Sequence, residues 1–116
     1  LATSKVFIVM AAGNDGKKAE DNMPGCLDGD NLFTVASVTC DNKCETYSNY
    51  GQPPVDWVAV GTSVFSTYYN STYRILSGTS MATAIVSGVI HANGGPPVSG
   101  GTIRCKNKTY NYAKTN

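Results

Sequence analysis

Ser80 stands between a glycine turn and a stretch of small apolar residues, in Leu76-Ser77-Gly78-Thr79-Ser80-Met81-Ala82-Thr83. The stretch predicts a helix beginning at Thr79, so the Ser80 hydroxyl falls in its first turn. Backbone N–H groups and the helix dipole favour developing negative charge there. That placement suits an acyl-transfer nucleophile. A second candidate is Asn14, in Ala11-Ala12-Gly13-Asn14, directly after an apolar run. Its side-chain amide can donate to an oxyanion, and the backbone N–H of Ser80 can be the other donor that a tetrahedral intermediate needs. Each residue has an ordinary reading too. A serine at a helix start is usually an N-cap, and Gly-Asn after a strand is usually a turn.

A serine hydroxyl without a base is a poor nucleophile. The chain has one histidine, His91, eleven residues beyond Ser80 on the same expected helix. That spacing is ~16 Å of axial rise, whereas a general base must come within about 3 Å. His91 is therefore read as a helix-end residue whose imidazolium complements the dipole. The chain alone is expected to be inactive. A lipase-type esterase elbow needs Gly-x-Ser-x-Gly, and Ala82 occupies the last position here.

The elements that must position these groups follow from the apolar pattern. Val6–Ala11 reads as a strand buried on both faces, closed by the turn Ala12-Gly13-Asn14-Asp15-Gly16. Leu32–Val38 and Val55–Val60 read as two more strands, with polar loops at Lys17–Asp30 and Asp41–Tyr50. Val64–Tyr68 and Tyr73–Ser77 flank Asn70-Ser71 as a hairpin. Thr79 to about Ala92 is the one good helix, apolar on nearly every side and so expected to be buried in a larger core. Asn93-Gly94-Gly95-Pro96-Pro97 stops it. Val98–Asn116 is polar and carries no pattern that assigns it structure. Three parallel strands and one long helix make an incomplete layer architecture, because a parallel sheet needs helices on both faces. About half of a domain is expected to be present.

At 116 residues, 41% apolar and 15% charged, the chain is globular in composition. A net charge of +1 gives no support for nucleic acid or an anionic membrane as partner. No apolar run approaches the ~20 residues of a spanning helix. The opening Leu1-Ala2-Thr3-Ser4, without Met, suggests a processed product or fragment. Cys26, Cys40, Cys44 and Cys105 make an even count, and Asn70-Ser71-Thr72 and Asn107-Lys108-Thr109 are glycosylation sequons. Together they favour a secreted, oxidised protein. Cys40 and Cys44 are close enough for a local disulfide, which leaves Cys26 and Cys105 for each other or for another chain. Sequence does not choose among the three pairings. A four-cysteine zinc site is disfavoured by irregular spacing.

In chain order, these segments resemble the second half of a subtilisin-like serine protease (subtilase) catalytic domain. Ala11-Ala12-Gly13-Asn14 resembles the family's oxyanion-asparagine segment, and Phe33–Val38 its following strand. Tyr47-Ser48-Asn49-Tyr50-Gly51 is similar to its Ser-Asn-Tyr-Gly turn. Val58–Thr67 resembles its strand, Pro-Gly turn and strand, and Ser77–Gly88 its nucleophile segment. The resemblance runs from about Val6 to Gly88. It implies a three-layer α/β/α fold around a mostly parallel sheet, here completed by a separate chain. It also implies that Ser80 attacks the scissile carbonyl and Asn14 stabilises the oxyanion. Thr79 supports the site, and the backbone of Ala12 and Gly13 walls a pocket open to apolar side chains. Residues 1–97 would then be the C-terminal half of the catalytic domain and 98–116 a polar tail.

The departures are specific. The family's Ser/Thr-Pro-His-Val-Ala-Gly after Gly-Thr-Ser-Met-Ala reads Thr83-Ala84-Ile85-Val86-Ser87-Gly88, and its Pro-Gly turn reads Val60-Gly61. The family's aspartate and histidine motifs, Asp-Ser/Thr-Gly and His-Gly-Thr-His, do not occur in this chain. The implied partner is therefore an N-terminal chain of the same protease carrying both, acting with this one on peptide or protein substrates. The alternative is a non-catalytic interaction protein that keeps the scaffold. Asp28 and Asp30 correspond loosely to a border of the family's specificity pocket, where a carboxylate would favour basic side chains; a solvated acidic loop is the plainer reading. Tyr47, Tyr50, Tyr68, Tyr69 and Tyr73 read as half-buried strand and hairpin rings rather than a stacking surface. No cofactor is implied. Several family members hold structural calcium, but no loop here has enough regularly spaced carboxylates to predict it.

Overall fold

The computed structural model describes residues 5–116; the opening residues 1–4, on which the expectation of processing rests, lie outside them. Strands β1 (Ile8–Ala11), β2 (Leu32–Val38) and β3 (Val55–Val60) run parallel and adjacent. Their bounds match the apolar runs except at the start of β1. Val6 and Phe7 precede the pairing, which opens at Ile8↔Leu32, and are 64% and 42% exposed. Alternation sends Phe33 and Val35 to one face of β2 and Ala36 and Val38 to the other. Both faces are covered, which is why the strand reads as an unbroken apolar run.

Helix α1 (Thr79–Asn93) covers one face. Ala82, Val86 and Ile90 pack on Val35 and Ala59, bordered by Val9, Phe33 and Trp57. Gly94, at φ 65°, ends the helix with its N–H on His91 O (3.3 Å), and Gly95 N–H reaches Ile90 O (3.2 Å). The helix is not buried all round, contrary to expectation. Ala84, Ile85, Gly88 and Ala92 are exposed on the side facing away from the sheet. Between β3 and α1, strands β4 (Val64–Tyr68) and β5 (Thr72–Leu76) form an antiparallel hairpin separate from the main sheet.

The last segment is ordered, unlike the patternless tail that composition suggests. Strands β6 (Val98–Cys105) and β7 (Lys108–Lys114) form an antiparallel hairpin, and β7 joins β3 in parallel through Trp57↔Asn111 and Val58↔Tyr112. The sheet order is β1-β2-β3-β7-β6. Tyr110 is 2% exposed and packs with Ala36, Val38 and Val58 on the face opposite α1, and its hydroxyl accepts the Gly51 N–H (2.9 Å). The hairpin also decides the cysteine pairing. It brings Cys105 to Cys44, and these two form the disulfide, with Cα atoms 5.9 Å apart. The local Cys40–Cys44 bond does not form, and Cys26 and Cys40 are free thiols. Two of the four cysteines are thus taken up by each other.

Candidate active site

The parallel strands β1 to β3 all point their C-terminal ends toward one rim, where ligands of open α/β sheets bind. Asn14 leaves the C-terminal end of β1 and α1 begins beside it. Gly61 makes the approach close. Its N–H bonds to Val38 O (3.1 Å), and its carbonyl accepts the Gly78 N–H (2.7 Å). A Cβ at Gly61 would collide with Ser37 Oγ and with the Gly78 carbonyl. The missing proline of the Pro-Gly turn therefore leaves intact the contact that seats Gly78 and the helix start.

Thr79, fully buried, is the joint between the two segments. Its N–H and its hydroxyl both donate to Asn14 Oδ1, at 2.8 and 2.9 Å. The same hydroxyl accepts the Gly13 N–H at 3.3 Å. Gly78 has no side chain to cap α1, so Asn14, 65 residues before Thr79, supplies the capping acceptor. With Oδ1 committed, the exposed Asn14 keeps its Nδ2 group as a donor close to Gly78, 3.7 Å from where a Cβ there would lie. Among the described residues neither this Nδ2 nor the Ser80 N–H has a hydrogen-bond partner. Two free donors thus lie at the N-terminus of α1, where the dipole adds to their pull on an anion.

Ser80 is exposed and opens onto a groove of ≈ 430 Å³ between α1 and the hairpin, lined among others by Val64, Ser66, Arg74, Leu76, Met81 and Ile85. No histidine or carboxylate lines it. His91 is exposed in the last turn of α1, at the helix end remote from Ser80. The described residues bring together Ser80, Asn14, Thr79 and Gly13 but supply no base.

The backbone of Ala12 and Gly13 is fully engaged. Ala12 N–H bonds to Val35 O, Ala12 O accepts Asn22 Nδ2 and Asn49 Nδ2 (both 3.0 Å), and Gly13 O accepts the Asn49 N–H. This segment offers a rigid wall rather than spare hydrogen bonds. Gly13 sits at φ 108°, with both asparagine amides where a Cβ would lie. Asn49, 1% exposed, also accepts from Asp15 N–H and Lys17 N–H (both 3.0 Å), so it holds the whole turn that carries Asn14. Its positioning part was visible in the sequence only as one letter of the Ser-Asn-Tyr-Gly match, and Asn22 gave no signal.

Asp28 and Asp30 are elsewhere. They precede β2, at the opposite end of the parallel strands from Asn14, and line a shallow depression with Asp56, Leu32 and Phe33. The solvated acidic loop is the reading that fits. Burial raises the Asp56 carboxyl from its ordinary value; the Thr34 N–H on its Oδ2 (2.8 Å) opposes the shift, and Asp28 adds to it. Of the tyrosines, Tyr47 is structural, its hydroxyl meeting Ser37 Oγ (2.9 Å) and Gly61 O (3.0 Å). Tyr69 and Tyr73 stand largely exposed on the hairpin.

The subtilase family model matches residues 2–92. Thermitase of Thermoactinomyces vulgaris is 45% identical over 82 residues, covering 71% of this chain and 28% of that protein. The alkaline serine protease ver112 of Corniculantispora psalliotae is 38% identical over 89 residues, 77% of this chain and 22% of that one. In structure, a cold adapted subtilisin-like serine proteinase superposes with a TM-score of 0.65 at 37% identity, over 73% of this chain and 32% of the other. The chain spans about a quarter of the length of the curated relatives it matches. With matching sequence and fold, the chain belongs to the subtilase family of serine proteases.

Proposed function

We propose that this chain is the nucleophile-bearing piece of a secreted subtilisin-like endopeptidase. Ser80 Oγ attacks the scissile carbonyl of a peptide, and the Ser80 N–H and Asn14 Nδ2 receive the oxyanion. Thr79 positions Asn14, and the walls at Ala12 and Gly13 border the substrate. A histidine and an aspartate on a second chain, the N-terminal part of the same protease, take the Ser80 proton and orient the base. The acyl-enzyme is then hydrolysed without a cofactor. Residues 1–97 correspond in this reading to the C-terminal half of the catalytic domain, with 98–116 appended to the sheet as its last hairpin.

The observation that carries the reading is the pair of free donors beside an exposed serine at a helix N-terminus. Secretion is supported by the Cys44–Cys105 disulfide and the two sequons. The test is intact mass spectrometry of the native preparation after a fluorophosphonate probe. A label on Ser80, seen only when a second chain with the aspartate and histidine motifs is present, is the expected result. A second chain without labelling would replace the enzyme reading with that of a non-catalytic interaction protein.

A further inference from the structure

The hairpin of β4 and β5 has two unlike faces. Val64, Ser66, Arg74 and Leu76 line the groove beside Ser80. Alternation places Phe65, Tyr73 and Ile75 on the other side, with Phe65 also bordering the groove; they are 68%, 62% and 64% exposed, and the Phe65 and Tyr73 rings stack at 5.4 Å. At the tip, Tyr69-Asn70-Ser71 links the strands. Asn70 and Ser71 are left-handed, at φ 57° and 56°, a region asparagine enters more readily than most residues. Thr72 Oγ1 donates to Tyr69 O (2.7 Å) and closes the turn. Tyr69 meets the Tyr68 ring edge-on at 4.9 Å and is itself 75% exposed. The exposed Tyr69 ring, seated against Tyr68, therefore directly precedes an exposed Asn-Ser-Thr sequon.

We propose that Asn70 carries an N-linked glycan whose first sugar packs on the Tyr69 ring; this rests on the secreted reading. Asn70 Nδ2 forms a C–N bond to C1 of the oligosaccharide of a lipid-diphosphate donor. The C1–O bond breaks, the lipid diphosphate leaves, and the amide gives up one proton. The weakly positive C–H face of a pyranose fits the negative face of a phenol ring. The sugar covers apolar surface that otherwise faces water, and its bulk stays in solvent at a hairpin tip. The second sequon lacks this setting. Asn107 is also left-handed and exposed, but its turn is Lys106-Asn107 and carries no aromatic residue.

The test uses protein purified from its source, digested without reduction and treated with peptide N-glycosidase in heavy-oxygen water. Heavy-oxygen aspartate at position 70 is expected. An unmarked Asn70 overturns the proposal. In that case the Cys44–Cys105 peptide tells whether secretion falls as well: an intact disulfide leaves that reading standing, and two free thiols remove it. The packing is read by thermal melting of protein trimmed to the first sugar against protein with none. The trimmed form is expected to melt higher, with the gap kept in Tyr69→Phe, lost in Tyr69→Ala, and absent for the sugar at Asn107. Equal midpoints in the unsubstituted protein would overturn the packing.

Discussion

Asn14 Oδ1 accepts both the N–H and the hydroxyl of Thr79 while Nδ2 stays free, so one carboxamide holds two segments together and offers a donor. The two tasks separate by substitution. Asn14→Asp keeps an acceptor for Thr79 and loses the donor. Its fold is expected to persist while kcat of the two-chain enzyme falls about 10²- to 10³-fold, the range known for this donor in subtilisin and carried over from it. Asn14→Ala also loses the cap, so thermal unfolding should show a further cost of about 1 kcal/mol. Ser80→Ala, at an exposed position, should leave the midpoint unchanged and abolish fluorophosphonate labelling. The Ser80 motif was legible because its neighbours in sequence are its neighbours in space. The Asn14–Thr79 joint and the clamp by Asn49 were not, since each depends on residues brought together from far along the chain.

At the scale of elements, the strands buried on both faces were legible to within a residue or two, because a two-sided apolar run has few other uses. The β6–β7 hairpin was not. Its outer strand is solvated and contains Gly100 and Gly101, and only Tyr110 of the pair is fully buried. The alternation of Tyr110 and Tyr112 after Lys106-Asn107 was its one signal. The disulfide holds that hairpin across a separation of 61 residues. A loop of that length implies about 4 kcal/mol from restricting the unfolded chain. Cys105→Ser is therefore expected to lower the urea midpoint strongly while α1 and the β4–β5 hairpin keep their circular dichroism. Asp56 marks the irregularity between β2 and β3, where Thr34↔Val55 is followed by Val35↔Trp57. Its raised folded-state pKa means that the native state binds its proton more tightly than the unfolded state. Stability then falls as pH rises from the unfolded value of 3.8 through the folded value, and the full penalty is present above the folded value. Asp56→Asn keeps an acceptor for the Thr34 N–H. It should melt above the unsubstituted protein at pH 7, and the advantage should shrink as pH falls into the carboxylate range.

For the whole molecule the informative face is the one that α1 turns away from the sheet. Ile85 is 39% exposed, and Ala84, Gly88 and Ala92 stand open beside it. A helix with so few polar residues is written for burial on both sides, and the chain buries one. The matched part of this chain covers only 22% and 28% of two of its relatives. In the two-chain reading, their additional length supplies the layer that covers this face and carries the base to Ser80. Both consequences have the same cause, so they must appear together. A partner that binds only the folded chain stabilises it by about 2.7 kcal/mol at one hundred times its dissociation constant. The melting midpoint of this chain should therefore climb with the concentration of the aspartate- and histidine-bearing chain, and peptide hydrolysis should follow the same curve. Gly88→Asp adds a charge to that face outside the groove, at an exposed position where a side chain meets nothing, so the chain alone should melt no lower. Titration should then show both curves displaced to higher partner concentration by the same factor. A midpoint that rises without hydrolysis would mean that the second chain covers the helix but brings no base. The groove beside Ser80 would then serve binding and not catalysis.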